Sequence, residues 1–200
     1  MLLLAAAACH TPVVSMSVPA TAPAAKEYPY EVLRWTRHGH VRFDFDEALT
    51  VNATLHSPEF RAAYTEKWVS QFSLVGAEAE KIRSDFAAEV ADCWEVHLES
   101  ASHTHDEDNF KPERHLWHLA LVTDQGRQVS ASEIKLDKEK RDVATALYPH
   151  ATVFSRGWRI RFPRRLADGL PLIEAGTRSL TLRIAGPHGS TDIVWRLSGS

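Results

Sequence analysis

Apolar residues recur along this chain with two different periods, and the changes of period divide it into segments. Val41, Phe43 and Phe45 alternate with Arg42, Asp44 and Asp46, and Leu49, Val51, Ala53 and Leu55 continue the period of two. That alternation predicts extended chain. Upstream, "EYPYEVLRWTR" reads as a strand, with Tyr28, Tyr30, Val32 and Arg34 on one side and Leu33 and Trp35 on the other. A turn centred on Gly39, between His38 and His40, is expected to follow it.

At Ser57-Pro58-Glu59 the period lengthens. Serine at an N-cap, proline in the first turn and an acid beside it form a helix-start signal. Phe60, Tyr64, Trp68 and Phe72 then recur every fourth residue, as one aromatic stripe that reads as core packing. Gly76 interrupts the pattern, and a second helix carries Ala79, Ile82, Phe86 and Ala87 or Val90 on its apolar side. Residues 57–91 therefore predict a helical hairpin.

The period of two returns in "CWEVHLES", with Trp94, Val96 and Leu98 on one face and Cys93, Glu95, His97 and Glu99 on the other. "RHLWHLALV" is apolar on both faces, as a central strand would be. A turn at Asp124–Gly126 leads into a strand near Val129–Leu136. "LDKEKRDVATALYP" is open between a short helix, with Val143 and Leu147 inward, and an irregular crossover. Trp158, Ile160 and Phe162 mark a further strand, and Leu180–Ile184 with Ile193–Leu197 a closing hairpin around Gly186–Gly189. Many short strands with one helical insertion predict a mainly β fold: an antiparallel, immunoglobulin-like β-sandwich with the hairpin of residues 57–91 inserted.

Of the 200 residues, 44% are apolar. A body spanning 27–200 can bury about 70% of its extended surface as one domain, so neither a metal nor a disulfide is needed for folding. A net charge of −3 argues against a nucleic-acid partner. Residues 151–200 nevertheless carry eight arginines against three acids. Arg159, Arg161, Arg164 and Arg165 are candidates for a surface that meets lipid phosphates or an acidic partner through bidentate contacts. A solvated strand face is the other reading.

The chain opens "MLLLAAAAC", an apolar run far short of the roughly 20 residues a membrane span requires. Small residues precede Cys9, and Ala6, Ala7, Ala8 and Cys9 match a lipobox, with alanine where leucine is more typical. In these nine residues the chain resembles bacterial lipoproteins. The resemblance implies a signal peptide removed before Cys9 and a lipid on its thiol. Because His10 rather than aspartate follows, it also implies sorting to the outer membrane. No basic residue precedes the run, as a start several residues upstream would explain. A non-lipidated signal and a plain apolar start are the alternatives. Residues 10–26 read as a flexible tether, long enough to hold the domain about 50 Å from a membrane. Cys93 then has no partner cysteine and reads as an inert core thiol, with a reactive thiol as the alternative.

His103, His105, Asp106 and Asp108 lie close together in "SHTHDEDNF". Imidazole and carboxylate at this spacing suit a divalent transition metal, although the stretch also reads as a polar hairpin tip. If residues 93–101 and 114–122 pair as a hairpin, His97 would approach His115 or His118. His115 and His118, three apart on a strand, point to opposite faces and lack the H-E-x-x-H glutamate. No G-x-S-x-G, S-x-x-K or glycine-rich phosphate loop is present, so no catalytic residue is assigned. The expectation is a lipid-anchored cell-envelope protein. Its role would be non-catalytic binding or assembly with another envelope protein or lipid, without a cofactor. The alternative is a periplasmic metal-binding protein using loop 103–108.

Overall fold

A computed structural model describes residues 11–44, 46–102, 109–111, 113 and 116–198. In chain order the elements begin with β1 (Val13–Val14), α1 (Tyr28–Trp35), β2 (Thr36–Phe43), β3 (Asp46–Leu55), α2 (Pro58–Gln71), α3 (Gly76–Glu89) and β4 (Cys93–Ala101). They continue with β5 (His118–Thr123), β6 (Gln128–Ser130), β7 (Glu133–Leu136) and α4 (Arg141–Leu147). The last strands are β8 (Arg156–Pro163), β9 (Ser179–Gly186) and β10 (Gly189–Leu197).

The strands form two sheets, β1-β10-β9-β5-β6 and β2-β3-β4-β8-β7, in which every pairing except β1 with β10 is antiparallel. The fold is mainly β, as the alternation predicts. Val96, Leu98, Trp158 and Ile160 of the second sheet share one core with Leu121, Leu182, Ile184 and Trp195 of the first. Fully burying one such side chain is worth about 1.5–3 kcal/mol, so this shared core is the main stabilising term. Along one side the sheets close where β2 meets β10, and a Cβ on Gly39 would stand 2.9 Å from Ile193 Cγ1. Gly39 therefore lies inside β2, not in the expected turn, because only glycine allows that approach.

The helical hairpin forms as expected. Of the apolar side expected for α3, however, only Ala79 is buried and Ala87 is exposed. Phe72 at the end of the stripe is also exposed, because α2 ends there, beyond the core. Ser57 Oγ accepts from Phe60 N at 3.0 Å, and the aromatic stripe stacks from Phe60 through Tyr64 and Trp68 to Phe72. Helices α1, α2 and α4 cover the outer face of the second sheet: Tyr28 meets Phe60, and Tyr64 meets Tyr148 just after α4. Of the two readings of residues 137–149, the helix is realised, with Ala144 and Leu147 buried. No helix among the described residues is long and apolar enough to cross a membrane.

Four further expectations require correction. The segment expected as the first strand is helix α1, burying Tyr28, Glu31, Val32 and Trp35. These positions also satisfy helical spacing, and Pro29 suits a first turn. The expected strand 129–136 is split between β6 and β7, one in each sheet. β4 and β5 likewise belong to different sheets, so His97 does not approach His118; β4 pairs with β3 and β8. Lastly, the segment expected as a tether is partly docked. Val13–Val14 pairs with β10, Val14 is fully buried, and Pro12 O accepts from Arg37 Nη2.

Candidate functional site: a buried polar array and the groove beside it

Glu95, His97 and Glu99 alternate along β4 on the face away from the sandwich core. On an open sheet they would be solvated, but all three are at most 3% exposed because the helical layer covers them. Their cross-strand neighbours on β8 are Arg161, Arg159 and Gly157, and Glu133 on β7 lies beyond Arg161. Register thus sets acid beside base across three strands.

Glu95 is one centre. Arg61 Nη2 on α2 donates to its Oε1 at 2.6 Å and Arg161 Nε to its Oε2 at 3.0 Å. Burial works against ionisation, but the close contact with His56 and the charges of Arg61 and Arg159 outweigh it, holding the carboxyl well below its usual range. His56, between β3 and α2, has Nδ1 3.2 Å from Glu95 Oε1, off the line of an ideal hydrogen bond, and Nε2 2.8 Å from the Tyr148 hydroxyl. Burial, with Arg61 nearby, pushes its imidazole down to about 3. His56 is therefore neutral at neutral pH; with Nδ1 facing the Glu95 carboxylate the ring proton belongs on Nδ1, so Nε2 accepts from the Tyr148 hydroxyl, itself kept protonated by burial.

Glu99 is the other centre. His97 Nε2 lies 3.0 Å from its Oε1, and Ser155 Oγ donates to its Oε2 at 2.5 Å. Burial raises this carboxyl and the contacts with His97 and Ser155 lower it, with a net downward shift. His97 stacks on the Tyr148 ring, centroids 3.6 Å apart, with Nδ1 3.4 Å from Asp137 Oδ2. Gly157 makes room for this cluster, since a Cβ there would meet Glu99 Oε1 at 2.9 Å. Tyr148 thus joins both centres, touching His56 with its hydroxyl and His97 with its ring.

The four arginines expected to form one surface divide: Arg159 and Arg161 share the array's face of β8 and the charge of Glu95, while Arg164 and Arg165 follow the end of β8 with other partners. Arg161 sits in the ion network, reaching Glu95 and, at 3.5 Å, Glu133. Arg159 is half-buried; burial opposes its charge, but Glu95 and Asp137 raise its pKa. Arg164 lies over the Trp94 ring at 4.0 Å and donates to Cys93 O and Val90 O. Arg165 is exposed and donates to Gly169 O. Arg183 and Arg196, on β9 and β10, belong to the other sheet. Cys93 is half-buried at the start of β4 rather than in the core, and burial raises its thiol pKa, which disfavours a thiolate.

Beside the array is a groove of ≈ 400 Å³ between the N-terminal segment, α2 and the end of α3. Its apolar walls include Val18, Ala22, Pro58, Ala62 and Ala87; Arg61, Arg83, Arg164 and Glu66 supply its charge. His56 lies at its inner end and connects it to the array.

Cys9, His103, His105, Asp106 and Asp108 lie outside the described residues. Among the described residues no group of three or more His, Cys, Asp or Glu is placed to hold a metal ion. Sequence reasoning assigned Glu95, His97 and Glu99 to one strand face but missed their burial and their link to His56 and Tyr148. The helix over that face and the 92-residue separation of His56 from Tyr148 leave no local signal. Comparison with protein-family models, curated proteins and solved structures finds no match for this chain.

Proposed function

We propose that the protein is a non-catalytic binding module of the bacterial cell envelope, anchored to the outer membrane by a lipid on Cys9. The carrying observation is the contrast between its two polar regions. The groups that acid–base catalysis would require, His56, Glu95, His97, Glu99 and Tyr148, are at most 5% exposed and held by buried neighbours. Of these only His56 reaches the inner end of the arginine-lined groove, while the groove itself is open. Buried polar networks of this kind specify and rigidify a scaffold. Open apolar concavities with a few polar groups are the usual form of ligand sites.

The scaffold reads as immunoglobulin-like. Taken in chain order from β3 to β10, the sheet orders β3-β4-β8-β7 and β10-β9-β5-β6 correspond to the A-B-E-D and G-F-C-C′ arrangement of that architecture. β2 is then an addition beside the first strand, and the helical hairpin is an insertion between the first two. Only residues 10 and 11 separate Cys9 from the docked Pro12, roughly 10 Å of extended chain. An anchored domain would therefore lie close to the bilayer, with its β1–β10 edge nearest, rather than about 50 Å away.

Fractionation in a bacterial host tests this. The wild-type chain is expected in the membrane fraction and Cys9→Ser in the soluble periplasmic fraction. Identical soluble behaviour of both would contradict the reading.

A further inference from the structure

We propose that the groove between α2, the end of α3 and the N-terminal segment binds a small acidic amphiphile, a carboxylate or phosphate on a short apolar chain. This rests on the binding-module reading above and names the class of ligand.

The charge in the groove is not balanced within it. Arg83 is matched by Glu66, which it grips at 2.7 and 2.9 Å. Arg61 shares Glu95 with Arg161, and its Nε is buried with no hydrogen-bond partner among the described residues. Arg164 makes no ion pair within 4 Å among the described residues, although the Asp92 charge favours its ionised form: Nε and Nη2 are spent on the carbonyls of Cys93 and Val90, and the guanidinium lies against Trp94. An arginine already oriented by two carbonyls and a ring presents a fixed charge to an incoming anion.

The walls supply the other half of the ligand. Val18, Pro58, Ala62 and Ala87 offer apolar surface to a chain that an inorganic anion would leave unused. A neutral chain, conversely, would bring no counter-charge to Arg164. The ≈ 400 Å³ volume is at the small end of ligand sites, which suits one short chain.

Calorimetric titration of the full chain with octanoate, octyl phosphate and octanol, each kept monomeric, tests the proposal. At least one anion is expected to bind one-to-one, and octanol at least about tenfold more weakly, the equivalent of one charge-assisted hydrogen bond. Binding of octanoate alone assigns the headgroup to carboxylate, of octyl phosphate alone to phosphate, and of both to a general anion site. Arg164→Gln is expected to weaken the anions about tenfold and leave octanol unchanged. Ala87→Trp, at an exposed position, is expected to block all binding while the protein remains folded by circular dichroism. Absence of binding by both anions overturns the proposal, as do equal binding of octanol, full affinity in Arg164→Gln, or full affinity in folded Ala87→Trp. The titration is independent of Cys9: it can fail while the protein remains membrane-bound, and fractionation can fail while the groove binds.

Discussion

The Tyr148 hydroxyl stands 2.8 Å from His56 Nε2, and both residues are buried. Because His56 is neutral and turns Nδ1 to the Glu95 carboxylate, this is one directed bond from phenol to imidazole. Tyr148→Phe removes the donor and leaves a buried acceptor unpaired, which should cost about 1–3 kcal/mol of unfolding free energy in urea denaturation. The double variant His56→Phe/Tyr148→Phe should lose less than the sum of the single changes, since no orphaned partner remains.

Glu95→Gln tests the ion cluster. The carboxylate receives Arg61 and Arg161, and its loss leaves positive charge buried without a counter-charge. A loss of about 3–5 kcal/mol is expected, again from denaturant midpoints. At the exposed Arg183–Asp192 pair, Arg183→Gln should leave the midpoint unchanged within error.

Stability should fall on acidification. His56 is depressed from 6.5 to about 3 and His150 from 6.5 to about 4, both chiefly by burial. A depressed histidine stabilises the fold above its unfolded pKa, and that contribution is lost as pH falls towards its folded value. Glu95 and Glu99, also depressed, contribute above 4.5 and lose that contribution as pH falls below it. Between about pH 6 and pH 4.5 each of the two histidines should contribute a slope of about 1.4 kcal/mol per pH unit. Thermal melts across this range should show Tm falling steadily with pH. A flat profile would mean that these imidazoles are not held neutral.

Gly157→Ala should be destabilising despite its small size. The new methyl would meet Glu99 Oε1 at 2.9 Å and Asp137 Cβ at 3.2 Å, where burial leaves little freedom to move. A loss of about 1–3 kcal/mol is expected, measured by thermal or urea unfolding.

Much of this architecture was legible in local pattern. The Ser57-Pro58-Glu59 start, the aromatic stripe from Phe60 to Phe72 and the closing hairpin each carry their own signal. Tyr28–Trp35 was misread because Tyr28, Val32 and Trp35 fit a helical face while neighbouring positions fit alternation, and packing against α2 settles the choice. Gly39 resembled a turn because its reason, Ile193, is 154 residues away in sequence. The polar array shows the same limit. The pattern places Glu95, His97 and Glu99 together on one face, but whether that face meets water depends on helices that no strand pattern describes. The groove is less legible still, since its walls come from three separate segments.

The most direct test of the envelope account is the mass of the N-terminal peptide of the protein recovered from a bacterial host. The account predicts a chain that begins at Cys9 and carries a diacylglycerol thioether on that residue. An unmodified Cys9, in a chain cut elsewhere or not cut at all, would contradict it.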